Sequence, residues 1–214
     1  MTVAIKFCGL TRAEDAAVAV ELGASYIGAV FAGGPRAVTA EQARAVFDGA
    51  TSVRRVGVFG HQTPDEIARS AARAALEIVQ LHADPTPDFV AAIKRLTGLE
   101  TWAAVRVGKA VDETSLSALT SSADAILFDS RVDGVLGGSG RAFDWSMITD
   151  LLAALRRANA RIVLAGGLNP ARVSTAIAAI RPDVVDVSSG VESAPGVKDH
   201  QLMSEFVQAV RASR

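Results

Sequence analysis

The stretch Val163-Leu164-Ala165-Gly166-Gly167-Leu168-Asn169-Pro170 runs from a short apolar strand through two glycines into the start of a helix. Asn169 suits the N-cap of that helix, and Pro170 suits its first turn, where a missing N–H costs nothing. The two glycines allow a tight turn and a close approach of the backbone to a ligand. The stretch therefore reads as one strand–turn–helix unit.

Units of the same kind recur along the whole chain. Short apolar runs predict strands at Val3–Cys8, Tyr26–Phe31, Val53–Phe59, Glu77–Leu81, Thr101–Arg106, Ala125–Asp129, Arg161–Ala165 and Val184–Val187. Segments with apolar residues three and four positions apart predict helices at Ala13–Leu22, Ala40–Phe47, Pro64–Ala75, Phe89–Leu96, Asp112–Leu119, Trp145–Leu155, Ala171–Ile180 and His200–Val210.

Eight strand–helix units in 214 residues give a mean repeat of about 27 residues, which suits a βα unit. Continuously apolar strands are typical of parallel strands that are covered on both faces. No linker or change of composition divides the chain, so residues 1–214 are predicted to form a single domain. We predict an α/β fold, a single (β/α)8 TIM barrel, over a doubly wound open sheet, which usually needs fewer strands.

Composition and charge exclude several classes of partner. Half of the residues are hydrophobic, the formal net charge is −1, and no dense stripe of Lys and Arg indicates a nucleic-acid partner. No apolar run reaches the roughly eighteen residues of a membrane span. A single cysteine and the lack of a secretion signal indicate a cytoplasmic protein. The three histidines lack metal-ligand spacing, so no metal site is predicted.

Reactive side chains are concentrated at the ends of the predicted strands, where barrels of this kind carry their catalytic groups. Each has an ordinary alternative. Cys8 is either a buried core residue or a reactive thiol, since the chain offers it no disulfide partner. Arg36 is either a surface arginine or a carboxylate-binding group. Asp129 is either a cap or a site acid, and His82 is expected to line the mouth of the barrel.

Two loops near the end of the chain form a candidate phosphate site. Gly166-Gly167 follows the seventh predicted strand, and Ser188-Ser189-Gly190 follows the eighth. Barrels often bind phosphate between these two loops, at the N-terminus of a short extra helix. The alternative is that the glycines merely turn the chain. The glycine-rich loop Gly137–Gly140 is either a lid over the site or a mobile connection.

Eight segments carry a resemblance to one family: Lys6–Thr11, Pro35-Arg36, Val79–His82, Leu127–Ser130, Gly137–Trp145, Ala165–Pro170, Asp186–Glu192 and Pro195–Asp199. In this order, over nearly the whole chain, they resemble the phosphoribosylanthranilate isomerase family of tryptophan biosynthesis. Members of that family are (β/α)8 barrels. They convert N-(5-phosphoribosyl)anthranilate to 1-(2-carboxyphenylamino)-1-deoxyribulose 5-phosphate by an Amadori rearrangement, without a cofactor.

The resemblance implies a role for each candidate residue. Cys8 is implied as the general base and Asp129 as the general acid. Arg36 is implied on the anthranilate carboxylate and Asp186 near the amino nitrogen, with His82 as a further substrate contact. The implied phosphate site consists of Gly166, Gly167, Ser189 and Gly190. The expected partner is a small phosphorylated substrate, with no nucleic acid, membrane, metal or cofactor, and the chain is expected to be a monomer or a homodimer.

The rearrangement needs a protonated acid and a deprotonated base. A helix N-terminus after Gly9 is expected to lower the pKa of Cys8. An ionised Asp186 would favour the positive charge that develops on the substrate nitrogen.

Two other functions stay open. One is the sister isomerase of histidine biosynthesis, alone or within a bifunctional enzyme. That family resembles a duplicated half-barrel with an aspartate at the end of the first strand, where this chain has Cys8. The other is a non-catalytic phosphosugar-binding barrel, which would keep the glycine loops but has no need of both Cys8 and Asp129.

Overall fold

The computed structural model describes residues 2–107, 113–130 and 149–213. In these residues eight parallel strands, β1 to β8, close into a barrel in chain order, so that β1 pairs with β8. The strands are Ala4–Phe7, Tyr26–Val30, Arg54–Phe59, Ile78–Leu81, Glu100–Val107, Ala125–Ser130, Arg161–Leu164 and Val184–Val187. The predicted barrel is confirmed, and each strand begins and ends within one residue of its predicted position.

Helices α1 to α8 alternate with the strands in the described residues. They are Ala13–Glu21, Ala40–Val46, Pro64–Arg73, Pro87–Thr97, Glu113–Ser122, Thr149–Arg157, Pro170–Ile180 and His200–Ala212. As predicted, Asn169 caps α7 by accepting a hydrogen bond from the N–H of Arg172 at 3.0 Å, and Pro170 is the first residue of that helix. The predicted helix start at Trp145 and the loop Gly137–Gly140 lie outside the described residues.

Apolar side chains fill the barrel interior at the end where the strands begin. Trp102 is fully buried there and meets Tyr26 edge to face, with the ring centroids 5.1 Å apart. Its Nε1 donates to Oε1 of Glu100 at 2.7 Å. Because successive side chains alternate between the interior and the helix layer, the next interior positions along each strand face the opposite end of the barrel. Any cavity within the barrel must therefore lie at that opposite end.

The connection between β8 and α8 contains structure that the sequence pattern does not predict. Ser189–Val191 forms a 3-10 helix, and an antiparallel hairpin follows, with β9 at Glu192–Ala194 and β10 at Val197–Lys198. Strands of three and two residues are too short to show a period of apolar residues.

Asp15 of α1 anchors this hairpin to the barrel. Its carboxylate is fully buried and accepts from Nη2 of Arg12 at 2.6 Å and from Nε2 of His200 at 2.8 Å. It also accepts from the backbone N–H of Lys198 at 3.2 Å. Burial alone would raise the pKa of Asp15, but these hydrogen bonds outweigh it and lower the pKa below its ordinary value. The hairpin is thereby fixed beside the end of the barrel where β1 ends.

Candidate active site

A cavity of about 560 Å³ opens at the carboxyl ends of the strands, and its volume is typical of a small-molecule site. The sequence predicts nine site residues, and all of them line this one cavity: Cys8, Arg36, His82, Asp129, Gly166, Gly167, Asp186, Ser189 and Gly190. The structure therefore brings the candidates together. Their individual roles stay predictions.

The closure of the barrel brings three ionisable groups together, and two of them, Cys8 and Asp186, line the cavity. Lys6 and Cys8 are two residues apart along β1, so both side chains face the barrel interior. Lys6 lies opposite Asp186 in the register of β1 and β8. Nζ of Lys6 donates to Oδ2 of Asp186 at 2.7 Å, and both residues are buried. Lys6 is not among the predicted site residues, although a lysine within an apolar strand is a signal that could have identified it.

Gly28 on the neighbouring strand β2 makes room for this cluster. A Cβ at residue 28 would lie 3.2 Å from Sγ of Cys8, 3.2 Å from Cε of Lys6 and 3.4 Å from its Nζ. The thiol and the lysine side chain therefore share the space above Gly28. A side chain at position 28 would crowd both groups.

The prediction that a helix N-terminus lowers the pKa of Cys8 is wrong. Helix α1 begins only at Ala13, and the influence of a helix end fades within one turn. The N–H of Cys8 continues the sheet instead, by donating to the carbonyl oxygen of Val187 at 2.9 Å. Burial raises the pKa of Cys8 above its ordinary value, and the ammonium of Lys6 opposes this effect.

The cluster consists of one cation, Lys6, and two buried acids, Cys8 and Asp186. Burial lowers the pKa of Lys6, but Asp186 and Cys8 outweigh burial and raise it above its ordinary value. Burial raises the pKa of Asp186, while Lys6 opposes the rise. Asp186 and Cys8 therefore compete for stabilisation by the same ammonium group.

A second polar group lies at the ends of β4 and β6. Nε2 of Gln80 lies 3.3 Å from Nδ1 of His82, and because an amide nitrogen can only donate, Nδ1 accepts. In a neutral ring the proton is then on Nε2, which lies 3.1 Å from Oδ2 of Asp129. This contact has the distance of a hydrogen bond but not its direction. His82 therefore places a polarised N–H beside the carboxyl group of Asp129.

Arg36, which follows β2, is held by a buried acid of the hairpin. Its Nε lies 2.8 Å from Oε1 of Glu192, and its Nη2 lies 2.6 Å from Oε2. Nζ of Lys198 donates to the same carboxylate at 2.7 Å. Burial opposes ionisation of Glu192, but Arg36 and Lys198 outweigh burial and lower its pKa. In the described part of the chain Nη1 of Arg36 binds no acceptor. Its two N–H groups are therefore available to a ligand in the cavity.

The glycine loops after β7 and β8 meet at the cavity wall. Gly166 and Gly167 have φ values of 82° and 67°, in the left-handed region that favours glycine. A Cβ at Gly190 would lie 1.8 Å from the carbonyl oxygen of Leu168, so only glycine fits where the loops touch. No backbone carbonyl in the described residues accepts from the N–H of Gly166 or Gly167. The loops thus leave donors at the cavity wall where an anion can bind.

A family model matches nearly the whole chain. The model described as N-(5'phosphoribosyl)anthranilate (PRA) isomerase matches residues 5–209. The chain belongs to this isomerase family. The N-(5'-phosphoribosyl)anthranilate isomerase of Pseudomonas fluorescens (strain SBW25) is 42% identical to it over 210 residues, which cover 97% of this chain and 95% of that protein.

Solved structures of the isomerase family share the fold. The structure of mutually generated monomers of the dimeric phosphoribosylanthranilate isomerase from Thermotoga maritima has a TM-score of 0.84 at 35% identity. A phosphoribosylanthranilate isomerase in complex with reduced 1-(o-carboxyphenylamino)-1-deoxyribulose 5-phosphate has a TM-score of 0.81 at 34% identity. Each match covers 99% of this chain and 100% of the other.

The described residues offer neither a membrane span nor a metal site. Within them, no helix has the length and apolar character needed to cross a membrane. In the same residues, no three or more His, Cys, Asp or Glu side chains are grouped so that they could hold a metal ion.

The state of the thiol can be measured directly, because Cys8 is the only cysteine of the chain. Since burial raises the pKa of Cys8, we expect the pH midpoint of its alkylation by iodoacetamide to lie above that of free cysteine. Intact-mass spectrometry over a series of pH values follows the reaction, with free cysteine as the reference. A midpoint at or below that of free cysteine would contradict the described environment of the thiol.

Proposed function

We propose that this member of the isomerase family converts N-(5-phosphoribosyl)anthranilate to 1-(2-carboxyphenylamino)-1-deoxyribulose 5-phosphate, with Cys8 as the general base and Asp129 as the general acid. The observation that carries the proposal is the placement of both groups in one cavity, together with Arg36 and the two glycine loops. Cys8 directly follows β1 and Asp129 lies in β6, so β7 and β8 with their glycine loops separate them on one side of the barrel.

The rearrangement needs only proton transfers. Asp129 protonates the furanose ring oxygen, and the bond between this oxygen and C1 breaks, which leaves an iminium ion between C1 and nitrogen. The iminium withdraws electrons and acidifies the proton on C2. The thiolate of Cys8 removes that proton. The resulting enol-amine takes a proton at C1 and loses the proton of its 2-hydroxyl group, and so becomes the ketone. Because no electron or group is transferred, we propose that no cofactor takes part.

The remaining site residues hold the substrate at its two charged ends. The backbone donors around Gly167 and Gly190 suit the phosphate, and the free guanidinium edge of Arg36 suits the anthranilate carboxylate. Oδ1 of Asp186 is buried without a hydrogen-bond partner in the described residues, so it suits the nitrogen that becomes positive. His82 lies beside Asp129 and suits the leaving ring oxygen.

Three further proposals concern the domain organisation, the location and the oligomeric state of the protein. Residues 1–214 form a single domain, and the protein acts on a small phosphorylated substrate in the cytoplasm as a monomer or a homodimer. The barrel that joins β1 to β8 supports the first of these, because it uses strands from both ends of the sequence.

Loss of either proton-transferring group should remove most of the turnover. We expect Cys8→Ser and Asp129→Asn each to reduce kcat by about 10²- to 10⁴-fold, the usual contribution of a general acid or base. The assay follows the loss of substrate fluorescence without added metal or nucleotide. Asp88→Asn, on the exposed first turn of α4, is the matched control and should keep wild-type kcat.

Thermal unfolding of each variant shows whether it is folded. A folded Cys8→Ser or Asp129→Asn variant with wild-type kcat would overturn the assigned role of that residue. Turnover of the aminoimidazole substrate of the sister isomerase by the wild-type chain would instead support a bifunctional enzyme.

Glu192 should determine how well Arg36 holds the substrate carboxylate, because it fixes two of the guanidinium nitrogens. In Glu192→Gln the carboxylate that fixes Nε and Nη2 of Arg36 is lost, so the guanidinium is no longer held in place for the substrate. We therefore expect KM to rise about 10-fold, within the range for one charged hydrogen bond, while kcat stays within a few-fold. Steady-state kinetics measure both constants, and Glu41→Gln on the exposed face of α2 is the control.

A substrate that lacks the carboxylate separates this role from a general loss of structure. N-(5-phosphoribosyl)aniline should be turned over with the same KM by wild type and Glu192→Gln. The role of Glu192 would be contradicted if Glu192→Gln left KM for the anthranilate substrate unchanged. It would also be contradicted if KM rose equally for both substrates.

A further inference from the structure

Lys6 is the most deeply buried charge at the cavity, and the proton-transfer steps above assign it no role. Its side chain is fully buried and reaches Asp186 at 2.7 Å. Burying an ion pair carries a large desolvation cost, and apolar residues of similar volume often serve stability equally well. A lysine in the middle of β1 therefore calls for an explanation other than packing.

The position of Lys6 relative to Cys8 supplies that explanation. The two side chains leave the same face of β1, and Sγ of Cys8 and Nζ of Lys6 both lie within 3.4 Å of the point that a Cβ of Gly28 would occupy. A positive charge this close favours the thiolate over the thiol. The helix that could have served the same purpose begins too far along the chain, at Ala13.

We propose that Lys6 is a positioning residue whose ammonium, fixed by Asp186, stabilises the thiolate of Cys8 and leaves Oδ1 of Asp186 free for the substrate nitrogen. The inference rests on the proposed function, in which Cys8 is the base. Lys6 donates to only one oxygen of Asp186, and the other oxygen has no hydrogen-bond partner in the described residues. One ammonium group thus serves both the base and the carboxylate that faces the substrate.

The other charges around Cys8 do not replace Lys6. Asp186 on β8 disfavours the thiolate, while Lys198 on β10 favours it. Lys198, however, is bound to Glu192, and so is Arg36, the remaining cation beside the thiol. Across the cavity, Asp129 and His82 act on Asp186 with opposite signs. Lys6 differs from both Lys198 and Arg36 because its side chain lies beside the thiol on the same strand and makes no contact with Glu192 in the described residues.

The test measures the thiol itself, without using turnover. In Lys6→Met, iodoacetamide alkylation of Cys8 should have its pH midpoint about one unit or more above that of wild type, as expected when a neighbouring opposite charge is lost. In Asp186→Asn the midpoint should fall, because the ammonium then acts on the thiol alone. Lys94→Met on α4, whose lysine pairs with Asp124 at the surface, should leave the midpoint unchanged.

Lys6→Met leaves a carboxylate buried without its partner, so a second comparison guards against a fold defect. The double variant Lys6→Met/Asp186→Asn carries neither charge, and its alkylation midpoint should lie above that of Asp186→Asn. The proposal is overturned if Asp186→Asn and the double variant have the same midpoint. It is also overturned if folded Lys6→Met has the same midpoint as wild type. Absence of wild-type turnover would instead overturn the proposed function and would leave the alkylation result intact.

The pH profile of turnover distinguishes the electrostatic role from a structural one. We expect kcat of Lys6→Met to be reduced at least 10-fold at pH 7 and to recover toward the wild-type value at higher pH, where the thiol ionises unaided. An equal loss at every pH would show that Lys6 only supports the fold, and this result would contradict the proposal.

Discussion

The ion pair between Lys6 and Asp186 spans the seam at which the barrel closes, and the site depends on it. β1 and β8 pair in a register that sets these two residues opposite each other, 180 positions apart in the chain. A slip of β1 by one residue would turn Lys6 into the apolar helix layer and leave Asp186 buried without its partner, and both changes are costly. The register of the seam therefore also fixes Cys8 at the mouth of the barrel.

From this seam the charges of the site are arranged in alternating sign. Lys6 lies between two acids, Cys8 and Asp186, and Glu192 lies between two cations, Arg36 and Lys198. Each cluster is buried and held by hydrogen bonds before a substrate arrives. Fixed charges of this kind stabilise developing charge without the reorganisation that water would need. In the proposed mechanism the glycine loops and Arg36 anchor the two ends of the substrate, so that the reacting carbons lie between the base and the acid.

Much of this arrangement could be predicted from the sequence, since the alternation of apolar runs and helical periods defines eight βα units and therefore which residues end the strands. The sequence therefore identifies Cys8, Asp129 and the glycine loops as candidate site residues. The partners of Lys6 and Glu192 lie 180 and 156 positions away, and no local pattern connects them. A lysine within an apolar strand is an unusual residue, but the sequence alone does not say what it pairs with. The error over the pKa of Cys8 has a local cause. Residues 8–12 are irregular, with Arg12 extended at the N-cap, before the helix begins at Ala13, and the periodicity of apolar residues does not predict this.

The most direct test of the central claim is a crystal structure of the chain with the reduced product, 1-(o-carboxyphenylamino)-1-deoxyribulose 5-phosphate. The phosphate should contact the backbone N–H groups of both glycine loops, and the carboxylate should contact Arg36. Sγ of Cys8 should lie within about 3.5 Å of C1 or C2, with Asp129 on the other side of the sugar chain. A ligand bound in the cavity with Cys8 out of contact with both carbons would contradict the account.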